Sequence, residues 1–381
     1  MRLLTAGESH GPALTGIIEG LPAGLRIDAG RIDAALKRRQ AGFGRGGRMR
    51  IESDTVRFTA GLRDGVTLGS PLCFYIDNKD HAAWASVMGP TEADTGQRRL
   101  TAVRPGHADF AGSVKYGFSD ARNVLERASA RETAVRVAAG AVAAALLAEL
   151  SVEVGAHIVN TGGVAASDKR YSAAELNQND TKFDVGAMTE TDAAAFKAVI
   201  QRAMDEKDTV GGIAEVVVSG LPAGIGSYVH YDRKLSTALF AALGSVQSVK
   251  CVEIGLGKAY APLFGSEAHD ELFIEGGRPV RRTNRAGGVE GGVSNGADIV
   301  LRATLKPIPT VMKGLKTVDI NTKQPCLSAP ERSDCCALFA AAEVLKSVTA
   351  FAVAHEALLV TGGDTMDTVR QRFFSLPGFS V

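Results

Sequence analysis

The chain has 381 residues, a formal net charge of +1 and 45% hydrophobic residues. This length accommodates one large domain or two, and the apolar content suffices for a sizeable core. A charge so near zero gives no global attraction to nucleic acid or a membrane surface, and five cysteines without C-x-x-C spacing argue for reduced thiols in a cytoplasmic protein, not a disulfide framework or a zinc site.

No basic stretch followed by an apolar one opens the chain, so secretion is not expected. Glu8, Ser9 and His10 stand between Gly7 and Gly11, a polar loop whose glycines let backbone come close to a ligand. An apolar strand-like run leads into Gly-Leu-Pro-Ala-Gly at 20–24. A helix is expected at Arg31–Gln40, with Ile32 and Leu36 four apart and Gly42 just beyond. Strands are expected at Arg48–Glu52, Val56–Thr59 and Leu72–Ile76. Ser129 and Glu132 read as a capping box opening a helix that is apolar almost all round, and so buried. Its most apolar part, Val137–Ala148, is too short to span a bilayer.

An amphipathic helix is expected over about Asp192–Met204 and a strand at Ala214–Val218. Gly-Leu-Pro-Ala-Gly then recurs at 220–224. The next helix is expected at Arg233–Leu243, with Asp232 as N-cap and Gly244 as stop. Strands at Val252–Ile254 and Ile299–Leu305 follow, then a second buried helix from about Ser333 to Val360, ended by Gly362-Gly363. Strand pairs and helices come in blocks, which favours α+β. No linker divides the chain, so residues 1–381 read as one domain. The repeated motif, each copy between a strand and a helix, suggests two halves related by a pseudo-twofold axis.

The strongest chemical signal is cationic. "LKRRQAGFGRGGRMR" (36–50) carries Lys37, Arg38, Arg39, Arg45, Arg48 and Arg50, and Arg104, Arg127, Arg131 and Arg332 add to it. Arginine offers forked donors suited to carboxylate and phosphate, so an anionic small molecule is the expected client. The "GRGGR" piece resembles an RNA-binding element, but it is single and runs into an alternating strand pattern. An RNA-binding module is the competing class; it leaves His10 and His107 without a role. His10 and His107, each beside glycine in a polar loop, could divide acid and base work. No H-x-x-x-H or Cys/His cluster suggests a metal, and no complete nucleotide-binding motif occurs.

"GESHGPALTGIIEGLP" (7–22), "RPGHAD" (104–109), "ERASARETAVRVAAGAV" (126–142), "GGVEGGVSNG" (287–296), "KPIPT" (306–310) and "ERSD" (331–334) stand in the order found in the chorismate synthase family, which the whole chain resembles. The resemblance implies a homotetramer of β-α-β sandwiches with internal pseudo-symmetry. It implies 1,4-anti elimination of phosphate from 5-enolpyruvylshikimate 3-phosphate with reduced FMN and no net redox change. By resemblance, Ser9, Arg39, Arg45, Arg48, Arg104, Arg131 and Arg332 bind the substrate. Arg127, Ala128, Ser129, Gln247, Ser248, Gly291, Lys306, Pro307, Ile308, Pro309, Thr310 and Arg332 hold the flavin. His10 assists phosphate departure, His107 manages flavin protonation, and Asp334 relays a proton near flavin N5. NADPH enters only if the chain also reduces flavin, and the monofunctional form is expected at this length. A relative that keeps the fold without the chemistry is a third possibility. One departure stands out: Cys335 follows "ERSD", and Lys346 stands where the family carries glutamate, suggesting a structural or subunit-contact role for that lysine.

Overall fold

The structure is a computed structural model that describes residues 1–45, 53–328 and 334–379. In the first half come β1 (Arg2–Ala6), β2 (Ala13–Glu19), α1 (Ala29–Gln40), β3 (Arg57–Ala60), the short hairpin β4 (Leu62–Arg63) and β5 (Val66–Thr67), and β6 (Leu72–Asp77). Helices α2 (Ala85–Met88), α3 (Asp109–Tyr116), α4 (Arg122–Ala128) and α5 (Thr133–Glu149) follow. The second half has β7 (Glu153–Thr161), β8 (Val164–Ala165), α6 (Ala173–Asn179), α7 (Glu190–Asp205), β9 (Gly212–Ser219), α8 (Leu235–Gly244) and β10 (Val249–Ile254). Next are α9 (Gly265–Ala268), the hairpins β11–β12 (Leu272–Glu275, Arg278–Arg281) and β13–β14 (Val289–Glu290, Val293–Ser294), and β15 (Ile299–Leu305). The hairpin β16–β17 (Lys316–Val318, Pro325–Leu327) precedes α10 (Leu338–Thr361) and α11 (Met366–Phe374).

Two antiparallel sheets result, ordered β1-β2-β6-β3 and β10-β15-β9-β7-β8. Apart from the short edge strand β8, each sheet follows one plan: first strand, second strand beside it, fourth next, third at the edge. Helix α5 packs on β2 of the first sheet, α10 packs on β7 and β9 of the second, and the two helices pack on each other. Helix α1 lies against both, and α8 against α10. This is the expected α+β sandwich around buried helices. The α5–α10 contact is close at Gly140, where a Cβ would stand 2.5 Å from the Ser347 backbone oxygen, so a larger residue would push the helices apart.

The duplication extends to individual hydrogen bonds. In the first turn, Thr67 Oγ1 accepts from the Leu25 N–H (2.9 Å) and donates to the Pro22 carbonyl (2.6 Å), while the Thr67 carbonyl accepts from Gly24. In the second, Ser294 Oγ accepts from Ile225 (2.8 Å) and donates to Pro222 (2.6 Å), while the Ser294 carbonyl accepts from Gly224. Both hydroxyls come from the second strand of a short hairpin. Each satisfies buried backbone groups that the turn would otherwise strand.

Several expected elements change. Helix α1 starts at Ala29, capped by Asp28. Helix α8 is preceded by a 3-10 turn, Tyr231–Arg233, so Asp232 is not its cap. The Ser129–Glu132 box does not form: Ser129 Oγ accepts from the Arg131 N–H, and Glu132 is drawn to Gln247 and Arg136. A capping box does form at Ser172 and Glu175, ahead of α6. The strand expected at Arg48–Glu52 falls outside the described residues. Helix α10 is by length and hydropathy able to cross a membrane, unlike Val137–Ala148, but it is the core helix between the sheets. Lys346 on α10 donates to Asn177 Oδ1 (2.7 Å), a contact within the chain that fits its expected structural role.

The paired turns make a testable statement about stability. Thr67→Val and Ser294→Ala should each lower unfolding free energy by about 1–3 kcal/mol, because a buried N–H loses its acceptor. Urea unfolding checks this, and the two losses should add, since the sites lie in different halves. A variant as stable as its parent would deny its hydroxyl this role.

Candidate functional site

The 7–12 loop joins β1 to β2. Gly7 has φ +107°, and a Cβ there would meet the Ala13 carbonyl at 2.4 Å, so the turn requires glycine. Asn78, just past β6, clamps this loop: its Nδ2 donates to the carbonyls of Glu8 (3.0 Å) and Gly11 (2.8 Å). Its Oδ1 accepts from Arg131 Nε (2.9 Å), which ties the loop to the start of α5. Ser129 Oγ donates to Ser9 Oγ at 3.2 Å. His10 is buried. Its Nδ1 lies 2.9 Å from Glu126 Oε1, its ring stacks on Trp84 at 4.0 Å, and its Nε2 stands 3.9 Å from Asp80.

Beside this loop is a buried cluster of arginines. Arg131 Nη1 donates to Asp54 Oδ2 at 2.6 Å, and Arg39 Nη1 lies 3.8 Å from the same oxygen. Arg39 also donates to Thr133 Oγ1 and the Ala130 carbonyl (both 2.8 Å). Burial, then the charge of Arg131, pushes the Arg39 guanidinium down to about 10, with Arg45 adding to the repulsion. Arg39 Nη1 and Asp54 Oδ1 have no hydrogen-bond partner among the described residues. Arg45 pairs with Asp334 at 2.7 Å. Three guanidinium groups gather here around Asp54 and Asp334, with the charge of Glu132 also acting on Arg39, and forked donors of this kind suit carboxylate and phosphate. Arg48 and Arg332 lie outside the described residues.

The 104–109 loop folds onto 306–310. Arg104 donates to both carboxylate oxygens of Asp109 (2.8 and 3.1 Å) and to Thr310 Oγ1 (3.1 Å). His107 Nδ1 reaches Asp109 Oδ1 at 2.5 Å. Burial disfavours the charge on Asp109, but its bonds to His107 and Arg104 overcome this and hold the carboxyl well below the usual range. Lys306 Nζ donates to the Gly106 carbonyl (2.9 Å); burial and then the nearby Lys250 lower its ammonium from the ordinary value, as at a place suited to an anion. The Ile308 carbonyl accepts from Thr209 Oγ1, and Pro309 packs near Gly106.

Arg127 donates to the Thr5 and Gly7 carbonyls (both 3.0 Å), and Gln247 Nε2 donates to Glu132 Oε1 (2.8 Å). These groups line an open cleft of ≈ 560 Å³ with Leu3, Arg136 and Phe351. Gln247 Oε1 is buried without a hydrogen-bond partner among the described residues. Ser248 takes positive φ (+72°), and its carbonyl accepts from the Lys306 N–H, which links this cleft to 306–310. Ala128 ends α4 between Arg127 and Ser129. A cleft of this size with cationic groups and an unsatisfied acceptor is chemically suited to a flavin mononucleotide. Gly291 stands apart, on the β13–β14 hairpin beside a second cleft with Phe240, Cys251 and Tyr260.

The structure brings Arg39, Arg45 and Arg131 together and sets His10 and His107 each against a carboxylate; those partners were not named from the sequence. Glu126 and Asp109 sit inside the quoted "ERASARE" and "RPGHAD" motifs, so proximity to a candidate was their available signal. Asp54, Asn78 and Trp84 reach the site only through the fold. Among the described residues no group of three or more metal-ligating side chains occurs.

The chorismate synthase family model matches residues 1–358. The chain is 49% identical over 378 residues to chorismate synthase 1 of Bacillus thuringiensis (strain Al Hakam), covering 97% of each chain. It is 47% identical over 375 residues to chorismate synthase of Alkaliphilus metalliredigens (strain QYMF), covering 98% of each. A solved structure described as a crystal structure of chorismate synthase aligns with a TM-score of 0.78 at 34% identity, over 98% of this chain and 96% of that one. Motif order, sandwich architecture and end-to-end identity agree, and the chain belongs to the chorismate synthase family, lyases of aromatic biosynthesis.

Proposed function

We propose that residues 1–381 form a single catalytic domain that converts 5-enolpyruvylshikimate 3-phosphate to chorismate and phosphate by 1,4-anti elimination, using reduced FMN, as the last step of the shikimate pathway. The observation that carries this reading is the arginine cluster around Asp54. Buried guanidinium groups gathered at one place suit a substrate bearing two carboxylates and a phosphate. Arg39, Arg45 and Arg131 bind those groups in this reading, joined by Arg48 and Arg332, with Ser9 beside them. Arg104 also belongs to the substrate set; its bonds to Asp109 and Thr310 keep its guanidinium fixed in place.

His10 gives a proton to the departing phosphate oxygen as the C–O bond breaks and its electron pair leaves with phosphate. His107, held by Asp109, and Asp334, held by Arg45, handle protons on the flavin side. Arg127, Ala128, Ser129, Gln247, Ser248 and Lys306–Thr310 would hold the flavin, again with Arg332; Gly291, which lines a different cleft of this chain, is left out of the set. Reduced FMN, when bound, supplies transient electron donation that is returned as the C6 hydrogen leaves. The Trp84 ring over His10 and the buried setting of Arg39 and Arg131 support a site that excludes bulk water.

The working form in this reading is a cytoplasmic homotetramer. Five free thiols fit a reducing compartment. Tyr228, Tyr231, Phe264 and Ile274, each more than 70% exposed, are surface that further copies would cover. NADPH is a cofactor only if the chain reduces flavin itself.

An anaerobic assay with the phosphorylated substrate and chemically reduced FMN should release chorismate and phosphate in equal amounts; binding of both ligands without product would sink the catalytic reading. Repeating it with NADPH and oxidised FMN decides whether the chain also reduces flavin. His10→Ala and His107→Ala should each lower kcat by about 10²–10⁴-fold while leaving thermal unfolding nearly unchanged. Equal losses of both properties would make them structural.

Asp109 adds a pH signature. Its folded carboxyl titrates below its unfolded range, so its contribution is complete above about pH 4 and fades as pH falls through the folded value. Asp109→Asn should therefore be most destabilising near pH 7, and the gap to the parent should narrow in strong acid. A gap that stays constant with pH would contradict this.

A further inference from the structure

We propose that Glu126 is the positioning residue of the catalytic loop: it fixes the tautomer of His10 and supports its protonated form, so that Nε2 presents the hydrogen that the leaving phosphate takes. This rests on the acid role proposed above for His10. Glu126 grips the loop three times. Its main-chain carbonyl accepts from the Ser9 N–H (2.8 Å), its Oε2 accepts from the His10 N–H (2.8 Å), and its carboxylate meets His10 Nδ1 at 2.9 and 3.0 Å. A carboxylate only accepts, so Nδ1 carries a hydrogen and Nε2 is the atom left for chemistry. This is the arrangement of a histidine oriented by a buried acid.

The surroundings keep that geometry. The Glu126 side chain is 1% exposed and has Arg122 Nη1 3.6 Å away. Trp84 stacks on the imidazole at 4.0 Å with a 24° interplanar angle, so the ring cannot turn over freely. The charged and titratable groups facing His10 are Glu126 and Arg122 on α4, Asp80 and His81 on the turn before α2, Glu8 on its own loop, and Arg98, which lies 4.0 Å over Trp84. Two carboxylates bracket the ring, one at each nitrogen. In the step, the Nε2–H proton passes to the phosphate oxygen that received the C–O electron pair. His10 is left neutral, still donating from Nδ1 to Glu126, and the C6 proton released in the same turnover balances the exchange.

Trp84 is the chain's single tryptophan. A stacked imidazolium quenches indole emission, so its fluorescence reports His10 protonation without substrate or flavin. In Glu126→Gln the fluorescence transition should move to lower pH, because the amide no longer supports the imidazolium. Anaerobic kcat should fall about 10²-fold with KM changed less than about threefold, and Glu126→Asp should recover part of the rate. A transition at the parent's pH would overturn the proposal, whether or not kcat falls, since a merely structural glutamate could slow the enzyme too. An unchanged kcat would overturn it as well. If Glu126→Gln does not fold by circular dichroism, Glu126→Asp carries the same comparison: a displaced transition with about tenfold lower kcat supports the role, and parental values of both refute it. Absence of product from the parent enzyme would instead refute the proposed reaction, and the fluorescence comparison would still decide whether Glu126 governs His10.

Discussion

Asp54 holds two guanidinium groups together in a buried place where they repel. Arg131 is hydrogen-bonded to it, and Arg39 is one step further out. Burial first, and then the charge of Arg131, lower the Arg39 guanidinium. Removing Asp54 would leave two cations facing each other in a medium of low dielectric, and the cluster would open. With Asp54 present, Arg39 and Arg131 are held in place by the fold itself, buried beside a common carboxylate. Binding energy is then not consumed in collecting mobile arginines from solvent.

The repeated architecture explains how such a cluster comes together. In each half a central strand leads through Gly-Leu-Pro-Ala-Gly into a helix, and a long buried helix follows the last strand of the sheet. Equivalent ends of the two halves supply complementary groups. The end of α1 supplies Arg39, and the chain after α8 supplies Gln247 and Ser248. The start of α5 supplies Ser129 and Arg131, and the approach to α10 supplies Asp334. Strand β6, the last of its sheet, runs into Asn78 ahead of α5, and β15, the last of its sheet, runs into Lys306 ahead of α10. The halves have diverged in side chains while keeping the backbone plan that the Thr67 and Ser294 hydroxyls lock.

The legible parts of the sequence were those with a strong local signal. Helices α5 and α10 announced themselves by apolar runs, and β15 by a short β-branched and apolar run whose burial alternates strictly in the fold. Strand β7 was not found, because it is covered on both sides: α10 packs on it, and Gly155 sits where a Cβ would touch α6. Without alternation, and with glycine and histidine inside it, its pattern does not read as a strand. Ser129 looked like a cap because local spacing ignores tertiary partners, and Glu132 found a better one in Gln247. The arginines were legible as a class of chemistry. Which carboxylate gathers them was not, since Asp54 is 77 residues from Arg131 and carries no motif.

The two histidines show why partners matter more than motifs. Both have Nδ1 against a carboxylate, which by itself would give them the same task. Their remaining neighbours differ. At His10 a second carboxylate, Asp80, stands near Nε2, and the Arg122 guanidinium lies 3.6 Å from Glu126. At His107 the Arg104 guanidinium sits directly on the shared Asp109, 3.1 Å from Nδ1. Two imidazoles in similar loops are thus set apart by what lies beyond the shared carboxylate contact: a second carboxylate near Nε2 at His10, and a guanidinium on the same carboxylate at His107.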